Sequence, residues 1–115
     1  MKQRILVMNG QRLFQTEQSG QWNVNKVERA GNLEPGIYNL YLADPADKAK
    51  QYVGLILHAD KDYVYQQQGE EVVRHLRADF GIVPETGALK SISYDEQSRA
   101  KVAAATVALG RGMTR

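Results

Sequence analysis

Apolar and polar residues alternate with a period of two along most of this chain, in short runs broken by Gly, Asn, Asp and Pro. Arg4 to Glu17 predicts a hairpin. Asn9-Gly10 is the preferred central pair of a type I′ turn, because both positions need positive φ. That turn sets Leu6 opposite Leu13 and Ile5 opposite Phe14. Gln18-Ser19-Gly20-Gln21 makes the next turn, and Trp22 to Val27 alternates loosely, with Trp22 and Val24 on one side. Glu34-Pro35-Gly36-Ile37 fits a type II turn, since proline pre-sets φ and glycine accepts positive φ after it. Ile37 to Leu42 predicts a strand with Tyr38, Leu40 and Leu42 toward the core. Asp44-Pro45-Ala46-Asp47 carries helix-start residues and predicts one to two helical turns ending near Lys50.

The densest pattern runs from Tyr52 to His75, YVGLILHADKDYVYQQQGEEVVRH. It predicts three antiparallel strands joined by two tight turns. A loop over 59–62 places Leu57 opposite Val64, Leu55 opposite Gln66, Ile56 opposite Tyr65 and His58 opposite Tyr63. Gly69-Glu70 suits a type II′ turn and sets Gln66 opposite Val73 and Tyr65 opposite Arg74. A bulge near Gln66 to Gln68 is an alternative that would shift the second pairing. A one-residue slip inverts the faces of a strand, so these registers decide which side is core.

Leu76 to Phe80 predicts a single helical turn stopped by Gly81, and Pro84-Glu85-Thr86-Gly87 a turn. Leu89 to Tyr94 predicts a strand. The segment beyond it supports two readings. Ser93 to Glu96 resembles a capping box that would open an alanine-rich helix toward Leu109. Alternatively Asp95 to Ser98 turns the chain, Arg99 to Ala103 pairs back on Lys90 to Tyr94, and a short helix comes after.

These elements predict a mainly β, β-dominated α+β fold: a small, antiparallel, strongly bent sheet or SH3-like barrel with short helical turns. The 115 residues make one domain, over 1–115. Net charge is +2, which supplies no strong global field for nucleic acid. The acids stop at Glu96, however, and Arg99, Lys101, Arg111 and Arg115 lie beyond it. The basic tail, about 104–115, can reach phosphates, although a solvated end is the plainer reading. The absence of cysteine fits a reducing compartment, and the apolar run ILVM near the start is too short for a signal peptide or a membrane span. The protein is expected in the cytoplasm, without membrane attachment.

Chemistry is sparse. His58 and His75 lie near Asp60, Asp62 and Asp79 in sequence, but no HxH, HExxH or calcium-loop spacing is present. The drawn register makes both of them ordinary histidines at one end of the sheet. None of Ser19, Ser91, Ser93 and Ser98 sits in a nucleophile elbow. No cofactor, metal or catalytic group is therefore expected. The tyrosines Tyr38, Tyr41, Tyr52, Tyr63, Tyr65 and Tyr94 fall on predicted strands or strand ends. Tyrosine is a good strand former, but Tyr and Arg are also favoured at interfaces. The register sets Ile56, Tyr63, Tyr65 and Arg74 on the face opposite Leu55, Leu57 and Val64, and that face is the candidate partner-binding surface.

The pattern Y-x-G-x-I, YVYQQ-x-G and V-x-H within Tyr52 to His75 resembles the KfrB family of plasmid proteins. The opening ILVMNGQ, the segment PGIYNLYLA-x-x-ADKAK and IVPETG-x-x-KSISYD are similar to its short stand-alone members from broad-host-range plasmids. These segments are turns and strands rather than catalytic signatures. The resemblance implies a non-enzymatic role in plasmid maintenance or partition. It also implies a protein partner, a plasmid-encoded coiled-coil DNA-binding protein. Direct nucleic-acid binding linked to plasmid stability or conjugation is the alternative, and a homo-oligomer is compatible with an exposed edge strand.

Overall fold

A computed structural model describes residues 2–105. The predicted basic tail and the helix after the last hairpin fall almost wholly outside them. Among the described residues, ten strands form two sheets: β1 (Gln3–Met8), β2 (Gln11–Gln18), β3 (Gln21–Arg29), β4 (Gly36–Tyr38), β5 (Asp44–Pro45), β6 (Tyr52–Ala59), β7 (Tyr63–Gln68), β8 (Glu71–Leu76), β9 (Leu89–Tyr94) and β10 (Ala100–Ala104). The first sheet is antiparallel with order β3-β2-β1-β4, and the second is mixed with order β10-β9-β6-β7-β8-β5. The fold is β-dominated, as the alternation predicts. The sheets stay open rather than closing into an SH3-like barrel, and β3 and β4 remain free edges of the first.

The turn chemistry fixes the first sheet. Asn9 and Gly10 adopt φ of 53° and 74°, and the hairpin pairs Ile5 with Phe14 and Leu6 with Leu13. Ser19 and Gly20 repeat the device at φ of 54° and 81°. A bulge at Phe14/Gln15 opposite β3 then keeps Val24 and Val27 on the same face despite their odd spacing.

Two further turns behave as their glycines dictate. Gly69 has φ of 61°, and β7 pairs β8 with Tyr65 opposite Arg74 and Gln66 opposite Val73, without a bulge there. Gly87, at φ of 89°, ends a turn closed from Ala88 N–H to Glu85 O, one residue beyond the predicted position. Arg77–Asp79 is a single 3-10 turn, and β10 pairs back on β9 after a turn at Asp95. Of the two readings for that region the hairpin is the one adopted, with the returning strand one residue later than predicted, Ala100 opposite Tyr94 and Ala104 opposite Lys90.

Four expectations are corrected. The strand predicted over Ile37 to Leu42 stops at Tyr38 and gives way to a 3-10 turn over Leu40–Leu42. Leu40 is buried, while Leu42 is 63% exposed. The bend before it is not a type II turn, for Gly36 has φ of 154° and already belongs to β4. No helix starts at Asp44. Asp44 and Pro45 pair with Val73 and Arg74 instead, and Ala46 N–H donates to Arg74 O. The Asp47 amide is taken by Tyr52 Oη, and its carboxylate caps the Ala49 amide, so local helix signals lose to an available sheet edge.

The fourth correction concerns β6 and β7. The loop is shorter than expected, with Ala59 opposite Val64 and His58 opposite Tyr65. A bulge between Ile56 and His58 then puts Ile56 opposite Gln66. As a result, Ile56 and Val64 share one face, while Leu57 and Tyr65 share the other. Both faces are buried. Leu57 and Tyr65 pack with Ile5, Val7, Leu33 and Leu40 under the first sheet. Ile56 and Val64 pack with Phe80 and Ile92 on the opposite side.

Candidate partner-binding site

The β6–β8 meander is thus a wall between two cores, which redistributes the residues expected on a binding face. Ile56 is fully buried and Tyr65 is 5% exposed, so neither has surface to offer a partner. Burial also pushes the Tyr65 phenol up to about 12, with Asp60 adding to it. Tyr63 and Arg74 remain partly accessible.

Those two residues come together with neighbours the sequence did not single out. Tyr63 pairs across to Leu76, and Arg74 lies beside Pro45. Pro45, Lys48, Tyr63, Arg74, Leu76 and Tyr94 line a cleft of about 180 Å³. The Arg74 guanidinium sits 5.5 Å from the centre of the Tyr63 ring and donates to Ala43 O at 2.6 Å. Lys48 Nζ sits 5.4 Å from the Tyr94 ring centre and 2.8 Å from Asp79 Oδ2. The latter is a contact of opposite charges rather than an aligned hydrogen bond, for that oxygen is buried without a hydrogen-bond partner. Leu76 is 49% exposed. Tyrosine and arginine are among the residue types enriched where binding energy concentrates at protein interfaces, and Tyr63, Arg74 and Tyr94 supply them here.

Beneath the cleft lies a polar network. His75, the penultimate residue of β8, lies at the same end of the sheet as His58 and one row away, as the sequence predicts, but at 1% exposure it is sealed inside rather than an ordinary sheet-end histidine. The side-chain amide nitrogen of Gln66 faces three carbonyl oxygens, of Tyr52, Gly54 and Lys90, at 3.2, 3.2 and 3.0 Å. Nitrogen must therefore be the atom there, and Gln66 Oε1 is left as an acceptor. His75 Nε2 lies 2.9 Å from that oxygen and so carries the proton. His75 Nδ1 then accepts from Tyr94 Oη at 2.6 Å. Burial pulls the imidazole down to about 4, against a partial opposing pull from Asp79. A neutral histidine with both nitrogens engaged holds β7, β8 and β9 together and has no free position for proton transfer.

His58 is a separate case. It stacks on Phe14 with ring centres 4.5 Å apart, and burial and Arg12 lower it to about 4. Arg12 is itself buried, donating to Leu57 O and pairing with Glu28. Among the described residues no group of His, Asp and Glu is arranged to hold a metal ion. No described helix is long and apolar enough to cross a membrane.

The model described as the KfrB domain matches residues 51–104, from the residue before β6 to the last residue of β10. The match covers the meander, the polar network and most of the cleft. Protein TraB of Escherichia coli is 35% identical over 94 residues, which covers 79% of this chain and 64% of that protein.

Proposed function

We propose, from the match of residues 51–104 to the KfrB domain model, that the protein is a non-enzymatic adaptor in plasmid maintenance or partition. It docks a protein partner on the Tyr63–Arg74 cleft. The domain match and the TraB relative support a plasmid-associated role. The observation that carries the docking reading is the cleft itself, where Tyr63, Arg74, Tyr94 and the half-exposed Leu76 converge within the matched segment. The partner assigned is the plasmid-encoded coiled-coil DNA-binding protein implied by the family.

Co-purification of the full chain with that protein tests the proposal. Truncating an interface anchor costs about 2 kcal/mol or more, roughly 30-fold in affinity. Tyr63→Ala and Leu76→Asp are expected to weaken binding by at least that factor. Undiminished binding by both variants, with native circular dichroism, would overturn the assignment. Binding of naked DNA that falls steeply with salt would favour the nucleic-acid reading instead.

A further inference from the structure

The N-terminal sheet packs one side on the core; on its other side Gln15 is buried, Leu6 and Leu13 are half-buried, and Val27 and Ile37 are open. Ile5, Val7 and Phe14 point into the core, so alternation turns Arg4, Leu6, Met8, Leu13 and Gln15 outward. The registers align the outward apolar residues. Val27 pairs with Leu13, Leu13 with Leu6, and Leu6 with Ile37. One apolar row therefore crosses all four strands, ~14 Å at the usual spacing between strands. Val27 is 51% and Ile37 55% exposed, and Met8 and Val24 beside the row are 45% and 48% exposed.

A cation stands ready beside this row. The Arg4 guanidinium carbon lies 4.0 Å from the centre of the Trp22 ring, and Arg4 Nε donates to Gln15 Oε1 at 2.6 Å. Trp22 in turn packs near Tyr41, whose ring also takes Lys2 Nζ at 5.2 Å. Stacking and one hydrogen bond hold the Arg4 plane. Among the described residues neither of its terminal nitrogens meets an acceptor. A fork fixed in this way fits a carboxylate.

We propose that this open sheet face is a second docking surface, distinct from the Tyr63–Arg74 cleft, and that it takes an acidic amphipathic helix. Three observations choose that occupant. The face carries Lys2, Arg4 and Arg29 against Glu17 alone, so its charge calls for acids. The same charge opposes a second copy of the chain, whose cations would meet these across a two-fold axis. The row runs across the strands. A crossing extended segment would bury unpaired backbone groups, whereas a helix satisfies its own. About ten helical residues cover the row at 1.5 Å per residue.

Trp22 is the sole tryptophan, so its emission reports on this face. The probe is an 18-residue helical peptide with Leu along one stripe and Glu on both flanks, and its control has every Glu replaced by Lys. Titrated into the full chain at low salt, the acidic peptide is expected to shift Trp22 emission and the control to leave it unchanged. Arg4→Gln should weaken binding about tenfold, as expected for loss of a charged hydrogen-bond donor. Val27→Lys and Ile37→Lys, at sites more than half exposed, should abolish binding while the circular dichroism stays native. Failure of the acidic peptide to bind, or equal binding by these variants, would overturn the proposal. So would an apolar-face dimer seen by sedimentation and lost in Ile37→Lys. None of these variants touches the Tyr63–Arg74 cleft, so each surface can fail alone.

Discussion

Protonating His75 should loosen this protein from its centre. The imidazole is neutral, donating from Nε2 to Gln66 and accepting at Nδ1 from Tyr94. In the unfolded chain it titrates near 6.5, and in the folded chain near 4. Between those values the unfolded state binds a proton that the native state refuses, so stability falls as pH drops through this window and is unaffected above it. The difference of about 2.5 pH units is worth about 3.5 kcal/mol at ~1.4 kcal/mol per unit, a large part of the stability of a small domain. His58 titrates over the same window for its own reasons. A His58→Phe variant, which keeps the stack on Phe14, isolates the His75 contribution. Urea unfolding of that variant, followed by Trp22 emission, should show the midpoint falling steadily from about pH 6.5 toward 4. Nitrogen chemical shifts of the ring should report the Nε2-protonated tautomer. A midpoint flat across the window, or a His75 titration near 6.5 in the native state, would refute the reasoning.

Other outcomes rest on close packing and the same network. A Cβ placed on Gly54 would lie 1.7 Å from Gln67 O and 2.9 Å from its carbonyl carbon, and both are backbone. Gly54→Ala should therefore cost about 3 kcal/mol or more, the upper end for overpacking, as read from thermal or urea unfolding. Gln66→Leu removes the donor to three carbonyls and the acceptor of the His75 proton, each unmet group costing roughly 1–3 kcal/mol. That variant should unfold at markedly lower urea, and the His75 ring should lose its fixed tautomer by NMR.

Much of the fold is legible wherever a turn dictates a register. Asn9-Gly10 and Gly69-Glu70 allow few backbone conformations, and they set the pairs Leu6–Leu13 and Tyr65–Arg74. The Asp60–Asp62 loop has no such residue, and there the pairing shifted. Asp60 Oδ1 accepts from the Asp62 and Tyr63 amides, and this compact Asx turn shortens the loop. The bulge at Leu57 then exchanged Val64 and Tyr65 between faces, which removed Ile56 and Tyr65 from the candidate surface. Tyr63 opens β7 beside the loop and Arg74 pairs with the two-residue edge strand β5, and both stay partly accessible. Lys48 and Tyr94 come to the cleft from separate loops and strands, a convergence that no local pattern encodes.

The sequence by itself determined the strand-and-turn grammar and the two hairpin registers set by glycine. Those depend on steric limits at single residues and on side-chain types. Only the tertiary structure decided that the Tyr52–His75 meander is buried on both faces and that His75 is a sealed structural link. It also decided that Val27 and Ile37, the ends of the apolar row of the first sheet, remain exposed. Alternation tells which residues share a face. Which faces meet another layer depends on how two sheets stack, and that is set by the packing of distant segments against one another.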